Sequence, residues 1–318
     1  MKVRTYKHSN IEFIEVQFEN FKVTLCSLGA SIFEIKCGAD ILTLTPENVD
    51  DFCRPNLYHG KTIGPVANRV KNSSIKINEK LYRFEPNEGP NLLHSGINGL
   101  SNQNFECQHT VINGVLLVKC SRFAKHLSDG FPGNRVFEIT YQICEKDGLN
   151  IRLDFNAKSD EKSLFKLTNH SYFNLGENDV RNMSLNLKSS KYIFPDDVDL
   201  CPTRIESIPK CLDFSNGDSL SKAVDDEKLC SVRAKGLDHF LFLDDKSLIL
   251  RSQKYELNIS TDFTGVQLYS DNYEDGVSYR GAIKVKHRAL AVEPCDSYLS
   301  DDSTNNYHRF IDYKIRRL

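Results

Sequence analysis

The chain has 318 residues, with 41 Lys and Arg against 43 Asp and Glu, for a formal net charge of −2. That balance gives no global basic field for nucleic acid or an anionic membrane, and the length allows ample core in one large domain or two small ones. No apolar run approaches a membrane span, and residues 1–7 lack the apolar stretch of a secretory signal. The expectation is therefore a soluble, cytoplasmic protein with no nucleic-acid or membrane partner. The ten cysteines contain no Cys-x-x-Cys pair, which argues against a zinc ribbon or a dithiol redox motif. In a reducing compartment they read as ten free thiols, many of them filling core.

From the N-terminus, strands are expected at 11–18 and 21–25, and a turn of helix at 51–53. Residues 75–77 and 81–84 flank Asn78-Glu79 as a hairpin, and residues 107–111 and 115–120 flank Asn113-Gly114 as another. The clearest alternation runs from 135 to 155. Phe137, Ile139, Tyr141 and Ile143 share one face, Asp147-Gly148 makes the turn, and Leu149, Ile151, Leu153 and Phe155 share the next face, with Gly supplying the positive φ a tight turn needs. Further strands are expected at 183–187, 248–251, 257–261 and 266–269, and the mostly apolar run 288–294 predicts another. Helical spacing is rare; 219–230 predicts a short helix around Leu220, Ala223 and Val224. Many strands, no alternating helices, no linker and no internal repeat predict a single all-β domain over 1–318. Its best form is a large antiparallel β-sandwich.

Five short segments concentrate polar chemistry between apolar runs. They are Ala67-Asn68-Arg69, Asn91-Leu92-Leu93-His94-Ser95-Gly96, Asn169-His170-Ser171-Tyr172-Phe173-Asn174-Leu175, Gly265-Val266-Gln267-Leu268-Tyr269 and Ala291-Val292-Glu293-Pro294. In this order they resemble the aldose 1-epimerases (galactose mutarotases), with the run from Asn169 to Leu175 the most specific. Gly236-Leu237-Asp238-His239-Phe240 resembles the family's Asp-His segment. The resemblance implies a β-supersandwich and a cofactor-free sugar mutarotase acting on a small monosaccharide, galactose and glucose being the default substrates.

Interconverting anomers requires ring opening, with one proton delivered to the ring oxygen and one removed from the C1 hydroxyl. Two groups suffice, expected on opposite sides of the sugar. His170 is the candidate acid, because imidazole titrates near neutrality. Glu293 is the candidate base, because a carboxylate on an apolar strand is poorly solvated and gains proton affinity. The resemblance assigns Asn68, Arg69, His94, Asp238 and Gln267 to the sugar hydroxyls. Tyr172 and Phe173 can form an aromatic wall or plain packing. His239 is expected to orient a loop, and the histidines at 8, 59, 109, 126, 287 and 308 read as surface or structural.

No phosphate loop and no metal-ligand spacing is present, so neither cofactor nor metal is expected. Pro65 after Gly64, Pro294-Cys295 after the glutamate, and the lack of tryptophan depart from the family pattern around the substrate and leave the sugar open. A hexose-6-phosphate mutarotase on the same fold would need a cationic cluster at the cleft mouth, for which Arg54, Lys61 and Arg280 are candidates. A non-catalytic carbohydrate-binding sandwich would not need an acid/base pair. A glycoside hydrolase would want two carboxylates across the scissile bond, whereas these segments supply His and Glu. Sequence leaves the oligomeric state unknown.

Overall fold

The computed structural model describes residues 1–300 and 302–318. Strand burial follows the alternation in sequence. Arg135–Glu145 buries Phe137, Ile139, Tyr141 and Ile143, and its antiparallel partner Leu149–Ser163 buries Leu149, Ile151, Leu153 and Phe155. Ile139 stands opposite Phe155 in this pair. The hairpin turns fall where Asn-Gly, Asp-Gly and Asn-Glu place them, with positive φ at Asn78, Glu79, Asn113, Gly114, Asp147 and Gly148.

Three antiparallel sheets make the body. Five N-terminal strands, from Lys2–His8 to Asp40–Ile41, form a meander. A nine-stranded sheet runs in the order Glu106–Ile112, Val115–Ala124, Arg135–Glu145, Leu149–Ser163, Thr304–Arg317, Tyr255–Thr261, Ser247–Arg251, Ser184–Leu187, Phe214–Ser219. A six-stranded sheet runs Tyr172–Phe173, Leu290–Cys295, Gly265–Tyr269, Asp238–Phe242, Lys191–Pro195, Pro202–Ser207. One apolar cluster draws on all three: Val16, Val23 and Ile35 from the first, Val118, Ile139, Leu153 and Ile315 from the second, Leu241, Leu268 and Val292 from the third. The expected all-β sandwich is the observed fold.

Among the departures from the sequence reading, three stand out. Thr304–Arg317, which carries no clear apolar run, is a central strand of the largest sheet, between Leu149–Ser163 and Tyr255–Thr261. The helix expected over 219–230 is two short ones, Ser221–Val224 and Glu227–Ser231. Asp226 divides them, because its side chain accepts from the N–H groups of Lys228 and Leu229 and so caps the second helix. Cys107 and Cys120 are joined in a disulfide across the Glu106–Ile112 and Val115–Ala124 pair, so eight cysteines rather than ten are free. Among the described residues no helix is long and apolar enough to cross a membrane.

Candidate active site

Strand pairing explains how residues far apart in sequence meet. Thr168–Asn169 pairs with Thr62–Ile63, while Tyr172–Phe173 pairs with Leu290–Cys295. His170 and Ser171 cross between these two ladders, which sets the imidazole beside Glu293. The crossing is held on both sides. The N–H of His170 donates to the carbonyl of Lys61 and that of Gly60 to the carbonyl of His170, while Asn169 Nδ2 donates to Gly60 O at 2.7 Å. Gly60 has φ +68°, and a Cβ there would lie 1.8 Å from the carbonyl oxygen of Ile32. Only glycine permits this approach.

In the six-stranded sheet, Gln267 stands opposite Glu293, and Asp238 lies diagonal to Gln267 on the same face. The alternate residues Leu241, Leu268, Val292 and Phe173 enter the core. Tyr172 therefore lines the cleft and Phe173 is packing. His239 lies on a strand, not a loop, and its Nδ1 accepts from the Asp238 N–H at 3.1 Å. On the other side of the cleft, Leu92–Leu93 pairs with Arg69–Val70, which carries His94 to Asn68 and Arg69.

All seven site residues expected from sequence line one cleft of about 230 Å³, below the size range of pockets for drug-sized ligands. His170 Nε2 is 3.2 Å from Glu293 Oε1. The two are side by side, not on opposite sides of a ligand as the sequence reading expected. Asn68 Nδ2 donates to Gln267 Oε1 at 3.1 Å, and Gln267 Nε2 donates to Asp238 Oδ1 at 2.6 Å. Arg69 makes a bidentate pair with Glu88, at 2.6 and 3.0 Å, and its other nitrogen faces Asp238 at 3.6 Å. The backbone N–H of Asn68 donates to His94 Nδ1 at 3.2 Å, leaving the Nε2–H as the donor that the neutral ring offers. The His94 ring lies 5.2 Å from that of His170.

Burial dominates the electrostatics. Glu293 is 2% exposed, and burial first, then the charge of Asp238, raises its pKa well above the carboxylate range against the pull of Arg69. Burial pushes His170 down to about 3 and His94 well below the usual imidazole value, with His170 and Arg69 adding to the shift. Both shifts favour the neutral forms, so a single proton shared by the pair is favoured on the carboxyl. The rise at Glu293 is as the apolar strand implies. The fall at His170 runs against the expectation of an imidazole titrating near neutrality, because desolvation outweighs the backbone hydrogen bond that favours the charged ring.

Tyr58, His59, Glu88, Tyr269 and Asp271 also line the cleft. His59, read from sequence as surface or structural, is a wall of it. Nothing around residue 59 alternates or matches a motif, so no signal marked it. The candidate phosphate-binding cations are elsewhere. Lys61 is wholly buried over the Phe52 ring, Arg280 pairs with Glu34 at 2.9 Å, and Arg54 pairs with Asp51.

The aldose 1-epimerase family model matches residues 12–307. The chain belongs to this family. It is 27% identical to galactose mutarotase of Homo sapiens over 303 residues, covering 89% of this chain and 84% of that one. It is also 27% identical to aldose 1-epimerase of Escherichia coli K12 over 238 residues, covering 70% and 66%. Among solved structures, galactose 1-epimerase from Lactobacillus acidophilus superposes with TM-score 0.88 over 99% of this chain and 98% of that one at 20% identity, a likeness of fold. An aldose epimerase homologue from C. elegans gives TM-score 0.83 at 28% identity, over 96% and 99%.

Proposed function

We propose that this protein is a sugar mutarotase that interconverts the α and β anomers of a free aldose, with His170 and Glu293 as its proton carriers. The observation that carries this reading is the direct 3.2 Å contact between an imidazole and a carboxyl at the floor of a sugar-sized cleft. The C1 hydroxyl oxygen and the ring oxygen are bonded to the same carbon, so two adjacent groups can serve both from one side. Glu293 as carboxylate takes the C1 hydroxyl proton while His170 as imidazolium gives its proton to the ring oxygen. The C1–O5 bond breaks, C1 becomes a carbonyl, and rotation about C1–C2 before reclosure yields either anomer. On reclosure the roles exchange: His170 takes the proton of the O5 hydroxyl and Glu293 returns its proton to the carbonyl oxygen, which restores the starting pair. With its proton on Glu293 the pair is neutral and holds the same single proton, and transfer across the 3.2 Å contact gives the working form.

Asn68, Arg69, His94, Asp238 and Gln267 hold the hydroxyls. The Asn68–Gln267–Asp238 chain fixes the direction of each amide, and His94 presents a donor beside the reacting end. Among the described residues lining the cleft, Arg69 is the one cation, against carboxyls at Glu88, Asp238, Asp271, Asp275 and Glu293. Arg69 is already held by Glu88 and faces Asp238, which leaves it poorly placed to take a phosphate and favours an uncharged aldose over a hexose 6-phosphate. The largest core cluster, which draws on residues from Ile14 to Ile315, supports one domain, and eight free thiols against one disulfide fit the cytoplasm.

The experiment is polarimetry on fresh α-D-galactose, α-D-glucose and α-D-glucose 6-phosphate with and without protein. Relaxation of a free hexose should be accelerated and that of the phosphate left near its spontaneous rate. No acceleration of any of the three contradicts the assignment.

A further inference from the structure

Buried polar atoms in folded proteins nearly always have partners, and an orphan calls for an explanation. Among the described residues, four such orphaned side-chain atoms lie on cleft residues: Nδ1 of His170, Oε2 of Glu293 and both ring nitrogens of His59. The first two belong to the proton pair, which leaves His59. Its ring stacks on Tyr172 at 4.1 Å and 13° and leans on Tyr279 at 4.9 Å. The stack places the ring without using either nitrogen. The buried histidines His94 and His239 each have Nδ1 bonded to a backbone N–H. His59 has no equivalent.

We infer that His59 is a specificity-determining residue of this cleft, whose imidazole receives a sugar hydroxyl in the tyrosine-lined part of the site. The inference rests on the reading of the cleft as a free-aldose site. The ring is neutral there, because burial first, then the charges of His170, Arg288 and Lys61, push its pKa well below the imidazole range. It cannot supply a proton for ring opening. A neutral imidazole offers one donor and one acceptor, and a hydroxyl can both give and take a hydrogen bond, so it satisfies whichever nitrogen faces it. An aldose lacking that hydroxyl leaves the nitrogen orphaned and binds more weakly, which is how a buried polar group discriminates.

The test is steady-state mutarotation of D-galactose and its monodeoxy analogues by wild type, His59→Phe and His59→Gln. Phenylalanine keeps the stack on Tyr172 and removes both nitrogens. The expected result is a KM for D-galactose raised about tenfold with kcat within about twofold. His59→Gln should recover part of the loss. One deoxy analogue should show the same KM with wild type and His59→Phe, because it lacks the hydroxyl concerned. A fall in kcat at unchanged KM overturns the inference, since His59 would then act through Tyr172 and His170. Unchanged parameters across the panel overturn it too. Should His59→Phe fail to fold, the imidazole ¹⁵N resonances of His59 in the wild-type protein, with and without saturating D-galactose, decide the matter: a shift supports contact, and no shift overturns it. Absence of wild-type mutarotation would count against the functional reading, and the ¹⁵N shifts would still report whether sugar meets His59.

Discussion

At the scale of single residues, the pair of His170 and Glu293 makes a definite statement about pH. In the proposed mechanism the working enzyme carries one proton across the pair, so activity falls when a second proton is added or the one is lost. The second proton goes to His170, whose pKa burial pushes down to about 3. The acid limb therefore lies well below the ordinary imidazole range. The remaining proton leaves from Glu293, whose pKa burial raises well above the carboxylate range, and this sets the alkaline limb. Profiles of kcat/KM between about pH 4 and 9, corrected for spontaneous mutarotation, should show no acid limb near the free imidazole value. An acid limb centred there would mean that His170 is solvated as in water. Gln267 makes a separate prediction. Gln267→Ala unpartners both Asn68 Nδ2 and Asp238 Oδ1 in the cleft, so KM should rise about tenfold with a smaller change in kcat, read from saturation curves. These residues were legible in sequence because each is a polar group in a short motif, and Glu293 because a carboxyl in an apolar run is costly without a task. The side-by-side geometry was not legible, since it depends on Tyr172 pairing with Ala291 across strands far apart in sequence.

At the scale of elements, the scaffold behind the cleft is the sandwich core. Phe155 on Leu149–Ser163 is wholly buried and meets Phe263 edge-on at 5.9 Å. Phe155→Ala should cost about 3–5 kcal/mol, measured as a shift of the urea midpoint, while the enzyme that remains folded keeps kcat/KM within about twofold. The hairpins were legible because Asn, Asp and Gly at the turns and period-2 alternation on either side agree. Thr304–Arg317 was not, although it obeys the same rule. Its buried residues Ile311, Tyr313 and Ile315 alternate with Asp312, Lys314 and Arg316. The charged face is tied to its neighbours, with Arg152 meeting Asp312 at 2.8 Å and Arg316 meeting Glu256 at 2.6 Å. Cross-strand ion pairs let a charge-rich segment occupy the middle of a sheet, and a pattern sought in apolar residues alone passes over it.

At the scale of the whole molecule, three sheets share one core and deliver strand ends and crossings to one cleft. In the proposed mechanism two adjacent groups move both protons, and the flanking amides, arginine and histidine hold the hydroxyls, so no step calls on a metal. Exhaustive dialysis against a chelator should leave the mutarotation rate unchanged, and recovery of lost activity by an added divalent ion would contradict the mechanism. The most direct test replaces one atom of the proton pair. The optical rotation of fresh α-D-galactose, followed with wild type and with Glu293→Gln shown to be folded by circular dichroism, compares a carboxyl with an amide of the same shape that cannot exchange the proton. The account predicts a rate lower by roughly 10²-fold or more. A folded Glu293→Gln protein that relaxes the sugar as fast as wild type would contradict it.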